Sequence, residues 1–161
     1  MIEHTEISAP ESAIGVISDT HGMLRTEVLE IFQGVDMIVH AGDVGNMEIL
    51  KVLEGVAPVT AVSGNMDYGA VTVFLNEVET FEFDGFNFHV RHDLSHMNIN
   101  PAVSGIDMVI SGHTHIPVLA SENGVIYLNP GSAGPERKNK PISLAKVLIQ
   151  NGRFSARHFY L

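Results

Sequence analysis

Five short stretches of this chain carry side chains that ligate metals or move protons. They are Ser18-Asp19-Thr20-His21-Gly22, His40-Ala41-Gly42-Asp43, Ser63-Gly64-Asn65-Met66-Asp67, Arg91-His92-Asp93 and Ser111-Gly112-His113-Thr114-His115. Taken singly, each residue has a plain structural use. Asp19 can cap a helix or brace a turn, Asn65 after Gly64 suits a left-handed turn, and a lone His92 is ordinarily just a satisfied or exposed histidine. As a set they ask for more. Turns do not need an Asp-x-His and a His-x-His pair, and a spacing of two lets both side chains of a tight loop reach one ion. Asp19, His21, Asp43, Asn65, His92, His113 and His115 offer only oxygen and nitrogen donors, which suit Mn²⁺, Fe or Zn²⁺ better than a pure Ca²⁺ or Mg²⁺ cage. Seven ligands are too many for one tetrahedral ion. They suit two ions about 3.5–4 Å apart that share a carboxylate.

Each stretch follows an apolar run: Ile14–Ile17, Met37–Val39, Val59–Val62, Phe86–Val90 and Met108–Ile110. These read as buried strands. In α/β sheets ligands bind beyond the carboxyl ends of strands, which is where these side chains fall. The spacing predicts a helix over Thr26–Phe32, with Val28, Leu29 and Phe32 on one side. A second helix runs to Glu54 from Asn46 as N-cap, with Met47, Ile49, Leu50 and Leu53 available to a core. Strand–helix–strand–helix–strand predicts parallel strands in the first half. In the second half Asp84-Gly85, Asn123-Gly124 and Asn151-Gly152 predict three hairpins. The expectation is two packed sheets with helices outside, parallel at first and antiparallel later. Residues 1–12 read as a tail and 13–161 as one domain. Residues 131–141 (GSAGPERKNKP) read as a solvated loop with a local basic cluster.

Length and composition limit the functions. A chain of 161 residues, 45% hydrophobic, suffices for one domain with a core. No run approaches the roughly 20 apolar residues of a membrane helix. The N-terminal stretch lacks the basic and apolar regions of a signal peptide. There is no cysteine, which excludes disulfides and thiolate sites and favours a cytoplasmic location. A net charge of −10 argues against a general nucleic-acid binder. Two divalent cations against two carboxylates would still leave a locally cationic pocket for a phosphate.

In this order, SDTHG, HAGD, GN-x-D, a histidine after an apolar strand, and SGHTH resemble the motifs of the calcineurin-like metallophosphoesterases. Asn129-Pro130-Gly131-Ser132 is similar to the NPGS segment of their compact bacterial and archaeal phosphodiesterase branch. The resemblance covers roughly residues 13–132. It implies a four-layer α/β/β/α sandwich of two mixed β-sheets flanked by helices. It also implies two divalent ions, Mn by preference with Fe, Zn or Ni as alternatives. Asp19, His21, Asp43 and His115 would hold one ion and Asp43, Asn65, His92 and His113 the other, with Asp43 bridging. The nucleophile would be a metal-bridging water, and His40 and Asp67 would orient ligands or serve structure.

Three departures shape the expected function. Met66 stands where the protein-phosphatase branch has a proton-donating histidine, which points away from that branch and leaves the general acid unassigned; His96 is the nearby candidate. Leu94 replaces the second histidine of the compact branch's His-Gly-His. The 93–105 stretch, with Asn98, Asn100, Pro101 and Gly105, is short and implies an open cleft. The reading is hydrolysis of a small phosphodiester or nucleotide-like substrate. Its alternatives are a phosphomonoesterase of the same fold and a metal-binding scaffold like the retromer subunit related to this branch. The hairpins and the aromatic C-terminus, with Phe154, Phe159 and Tyr160, are compatible with a homo-oligomer as well as with core packing.

Overall fold

The computed structural model describes residues 11–161, so residues 1–10 of the expected tail lie outside the described residues. The order is β1 (Ser12–Ile17), α1 (Thr26–Ile31), β2 (Met37–His40), α2 (Met47–Glu54), β3 (Val59–Ala61), α3 (Ala70–Phe74), β4 (Val78–Phe83), β5 (Phe86–Arg91), β6 (Met108–Ile110), β7 (Val118–Glu122), β8 (Val125–Asn129), β9 (Ser143–Gln150) and β10 (Arg153–Tyr160). Asn46 caps α2 as expected, its Oδ1 accepting the Glu48 N–H at 2.8 Å. The five-residue α3 was not anticipated. It is too short for a 3.6-residue period to show and buries only Val71.

The strands form two sheets of five, ordered β10-β9-β1-β2-β3 and β4-β5-β6-β8-β7. In the first, β1, β2 and β3 are parallel, and β9 and β10 add antiparallel. The three hairpins close at Asp84-Gly85, Asn123-Gly124 and Asn151-Gly152, where all six residues have positive φ, as a type I′ turn requires. The second half is not antiparallel throughout, however. Its three middle strands β5, β6 and β8 are parallel. Hairpin signals report only strands adjacent in sequence, and crossover pairings leave no local turn signature.

Strand β1 shows how the layers are built. Ile14 and Val16 point between the sheets, where they join Val39, Phe88, Val90, Met108, Ile110 and Leu128. Ile17 points the other way, among Val28 of α1, Phe32 just after that helix, and Leu50 and Leu53 of α2. Both faces of β1 are buried, so it reads as an apolar run rather than an alternation. The outer face of the second sheet is covered more thinly. Val109 and Val125 pack with Ile106, Met97 and Tyr127 under a 3-10 turn at Leu94–His96 and the turns that follow it. Among the described residues no α-helix lies between β5 and β6. This agrees with the helix-poor composition of 93–105.

Candidate metal centre

The parallel strands β1, β2, β3, β5 and β6 all end at one edge, where the two sheets meet. Their following loops bring together residues far apart in sequence. Asp19 is fully buried. Its Oδ2 accepts the Ser18 hydroxyl at 2.6 Å and the His113 backbone N–H at 3.0 Å. Its Oδ1 has no hydrogen-bond partner among the described residues and faces three imidazoles: His115 Nε2 at 3.2 Å, His21 Nε2 at 3.7 Å and His92 Nε2 at 3.7 Å. Asp43 is arranged alike. Oδ1 accepts the Met66 backbone N–H at 2.8 Å, while Oδ2 faces His92 Nε2 at 3.1 Å and His21 Nε2 at 3.8 Å. Each buried carboxylate is thus held by one oxygen and presents the other to the histidines.

Five of the seven expected ligands fall into two overlapping trios within reach of an ion, Asp19–His21–His115 and Asp19–Asp43–His92. The oxygen common to both trios belongs to Asp19, whereas the family resemblance gave the bridging place to Asp43. Asp43 Oδ2 also lies between His21 and His92, so both free oxygens stand between the two halves of the site. Asn65 and His113 lie outside the trios and bond to each other, His113 Nδ1 to Asn65 Oδ1 at 3.1 Å. Asp93 Oδ2 lies 3.6 Å from His113 Nε2. The His92 and His113 rings are 5.3 Å apart, so this pair adjoins the second trio.

The donors fit divalent ions. Asp19 Oδ1 and His92 Nε2 are buried polar atoms without hydrogen bonds, a costly condition unless something else satisfies them. His92 Nδ1 donates to the Ala41 carbonyl at 2.7 Å, which turns Nε2 toward the carboxylates. Burial opposes the His92 imidazolium, but the Asp43 and Asp19 carboxylates and the Ala41 carbonyl outweigh it and raise the pKa. For Asp43 burial pushes upward, yet His92 and the Met66 N–H hold the carboxyl below its ordinary range. His115 is pushed down, first by burial and then, against Asp19, by Arg137, His21 and Lys140. A site that draws protons or cations between two carboxylates is what a metal would occupy.

The backbone carries the same message. Among the described residues nine non-glycine residues have positive φ, and five of them are Asp19, His21, Asp43, His113 and His115. The other four are Asp84, Asn123, Asn139 and Asn151, types that tolerate this conformation in turns. For histidine in particular the conformation costs about 1 kcal/mol or more and persists only where the surroundings impose it.

Several residues impose it. His40 is fully buried, and its pKa is lowered to about 3, chiefly by burial and then by His92. Neutral His40 accepts the Gly42 N–H at Nδ1 (3.2 Å) and donates from Nε2 to Thr20 Oγ1 (2.9 Å); Thr20 donates on to the Val44 carbonyl (2.9 Å). His40 therefore ties the Asp19 loop to the Asp43 loop. Asp67 accepts backbone N–H groups from Val44 (3.2 Å), Gly45 (2.9 Å) and Gly64 (2.8 Å), clasping the Asp43 loop to the Asn65 loop. Sequence reasoning passed over the braces downstream. Asn129 Nδ2 donates to the Gly112 carbonyl at 2.8 Å, and Ser132 Oγ donates to the Asp19 carbonyl at 3.0 Å. Their signal was present in the Asn-Pro-Gly-Ser motif, which ends β8 where the ligand loops converge.

Gly112 shows how tightly these loops approach. A methyl on it would overlap Ser18 Oγ and stand 2.7 Å from Asp19 Oδ2. Gly112→Ala is expected to destabilise the fold by about 1–3 kcal/mol through overpacking and to weaken metal binding as Asp19 is displaced. Urea unfolding and metal titration of the variant check this, and a variant that retains wild-type metal affinity would contradict it.

Two other expectations concern the surroundings. His96 is exposed and lines a cleft of about 200 Å³ together with Asn65, Arg91, His92 and Asp93. Met66 is 62% exposed and reaches the site only through its backbone N–H. Arg91, which sequence reasoning did not single out, is buried and pins the short segment over the cleft. It donates to the His96 carbonyl and to Asn98 Oδ1, the latter at 3.0 Å.

Residues 13–152 match the family model of the calcineurin-like phosphoesterase superfamily domain, and the chain belongs to that family. It is a metal-dependent phosphoesterase. It is 39% identical over 139 residues to a Methanothermobacter thermautotrophicus protein named "Probable metallophosphoesterase", covering 80% of this chain and 81% of the relative. It is 32% identical over 150 residues to phosphodiesterase YfcE of Escherichia coli, covering 78% and 82%. In fold it is similar to an archaeal phosphodiesterase of known structure, with a TM-score of 0.72 at 23% identity over 92% of this chain and 99% of that one. Among the described residues no helix is long and apolar enough to cross a membrane.

Proposed function

We propose that the protein hydrolyses small, nucleotide-like phosphodiesters at a centre for two divalent ions held by Asp19, His21, Asp43, Asn65, His92, His113 and His115. The observation that carries this reading is the pair of overlapping trios built around a buried, unpartnered Asp19 oxygen. When bound, the ions, manganese by preference, supply Lewis acidity toward the phosphoryl oxygens and a water of lowered pKa as nucleophile. The chain's own part is to hold and orient. His92 is fixed by Ala41, Asp19 by Ser18 and the His113 backbone, and Asp43 by the Met66 backbone. Asn65 and His113 would give up their mutual hydrogen bond to hold an ion.

The cleft beside Asn65 and His92 would receive the leaving group, and His96, which lines it, is the candidate proton donor. Diester chemistry fits a chain whose Met66 side chain carries no proton where the protein-phosphatase branch has a histidine. A cytoplasmic location fits the lack of cysteine, and a single catalytic domain over 13–161 fits the continuous pair of sheets.

The test is hydrolysis of bis(p-nitrophenyl) phosphate against p-nitrophenyl phosphate with added Mn²⁺. The diester is expected to be cleaved the faster, with activity lost to chelator and regained on adding Mn²⁺. A preference for the monoester would replace this reading with the phosphomonoesterase. Two bound ions without turnover of either ester would replace it with the scaffold.

A further inference from the structure

The basic stretch Arg137-Lys138-Asn139-Lys140, expected to be a solvated loop, lies in a segment, residues 132–140, that is tied to the metal centre at both ends. On one side Ser132 Oγ holds the Asp19 carbonyl at 3.0 Å, and the Ala133 N–H donates to the Ser18 carbonyl at 3.1 Å. On the other, Lys140 Nζ donates to the carbonyl of Thr114 at 2.8 Å, between His113 and His115. The stretch itself is a tight turn, closed by the Lys140 N–H on the Arg137 carbonyl at 3.1 Å with Asn139 at φ 62°. It is a short strap with fixed ends rather than a free loop.

Three of the chain's nine Lys and Arg residues lie in this turn, in a protein of net charge −10. With Glu136 as the one acidic side chain among them, they line an open cleft of about 600 Å³. Among the described residues the only Lys or Arg ion pair within 4.0 Å is Lys51 with Glu48, so Arg137, Lys138 and Lys140 have no carboxylate against them. Unpaired cations gathered beside a phosphoester site, against the overall charge, favour an anionic ligand. Three cations over one turn are too few to track a nucleic acid backbone.

We propose that this turn is an anion subsite of the active centre that receives a second phosphate carried by the substrate, away from the phosphorus that is attacked. The inference rests on the phosphodiesterase reading above and adds a substrate class to it: diesters with a further terminal phosphate.

Two chromogenic diesters separate the two ideas: the p-nitrophenyl ester of thymidine 5′-phosphate, and the same ester bearing a 3′-phosphate. With the manganese-loaded protein at low salt, kcat/KM is expected to be about tenfold higher for the 3′-phosphorylated ester, mainly through KM. The advantage should fall toward one in R137Q/K138Q, and also near 1 M salt, where the screening length is about 3 Å. Calorimetric binding of thymidine 3′,5′-bisphosphate against thymidine 5′-phosphate should show the same ratio and the same loss, without depending on turnover. Equal kcat/KM for the two esters in the wild type overturns the subsite while leaving the phosphodiesterase intact. So does a preference that survives R137Q/K138Q. Failure of a fully metal-loaded protein to cleave either ester overturns the phosphodiesterase reading, and the subsite with it.

Discussion

Asp43→Ala is expected to lose bound metal and hydrolysis together. Asp43 Oδ2 faces two histidines and Oδ1 is fixed by the Met66 N–H, so alanine removes both a ligand and its anchor. Changing outer partners of metal ligands costs roughly 10–100-fold in affinity or activity. Removal of a ligand set between both halves of the site should exceed about 100-fold. Urea unfolding of the metal-free variant, set beside the metal-free wild type, gives the stability lost with the His92 and Met66 contacts to Asp43. This separates the effect from simple unfolding. Added Mn²⁺ should raise the melting temperature of the wild type, since a ligand of the native state stabilises it by mass action. It should leave Asp43→Ala unchanged. A variant that is still stabilised by Mn²⁺ and still hydrolyses the diester would remove Asp43 from the site.

Asp67→Ala should act through the fold instead. Three backbone N–H groups, those of Val44, Gly45 and Gly64, share its carboxylate, which is only 9% exposed. Hydrogen bonds to a charged group contribute about 1.5–3 kcal/mol each in favourable cases. Water replaces part of that at a site near the surface, so a loss of about 3 kcal/mol is expected. For a chain of this size that lowers the melting temperature by about 6–12 °C. Asp67→Asn keeps one acceptor oxygen and should lose less. Both variants should bind Mn²⁺ more weakly than the wild type, because the loops of Asp43 and Asn65 come unclasped. Denaturant melts that shift by under about 1 kcal/mol would show that the clasp is not needed to hold them.

Much of this site was legible before any coordinates. An apolar run followed at once by Asp-x-His or His-x-His marks a strand end and a ligand loop together. The parallel strands then carry those loops to one edge. Asn46, Asp84-Gly85, Asn123-Gly124 and Asn151-Gly152 announce a cap and three turns through their own conformational preferences, so they too read locally. What was hidden depends on contacts across the chain. The His113 N–H reaches Asp19 over 94 residues, and Ser132 reaches it over 113. No window of periodicity sees such bonds. The parallel pairing of β5, β6 and β8 was missed for the same reason. The positive φ of His21, His113 and His115 contradicts their local preference, and it arises only because neighbouring loops fix their backbones. Asn65 and His113 were expected among the ligands, and the structure holds them against each other beside the trios. The basic turn is solvent-exposed, as its composition implies, but nothing in that composition reveals that Lys140 ends on Thr114.

The number of ions that the protein holds is the most direct test of the two-ion centre. The purified chain, stripped with chelator, re-equilibrated with Mn²⁺ and freed of unbound metal, can be analysed for manganese per polypeptide. Two ions per chain are predicted, falling together in Asp43→Ala. A folded wild-type protein that retains no transition metal, or takes up a single ion at saturation, would contradict the two-ion centre.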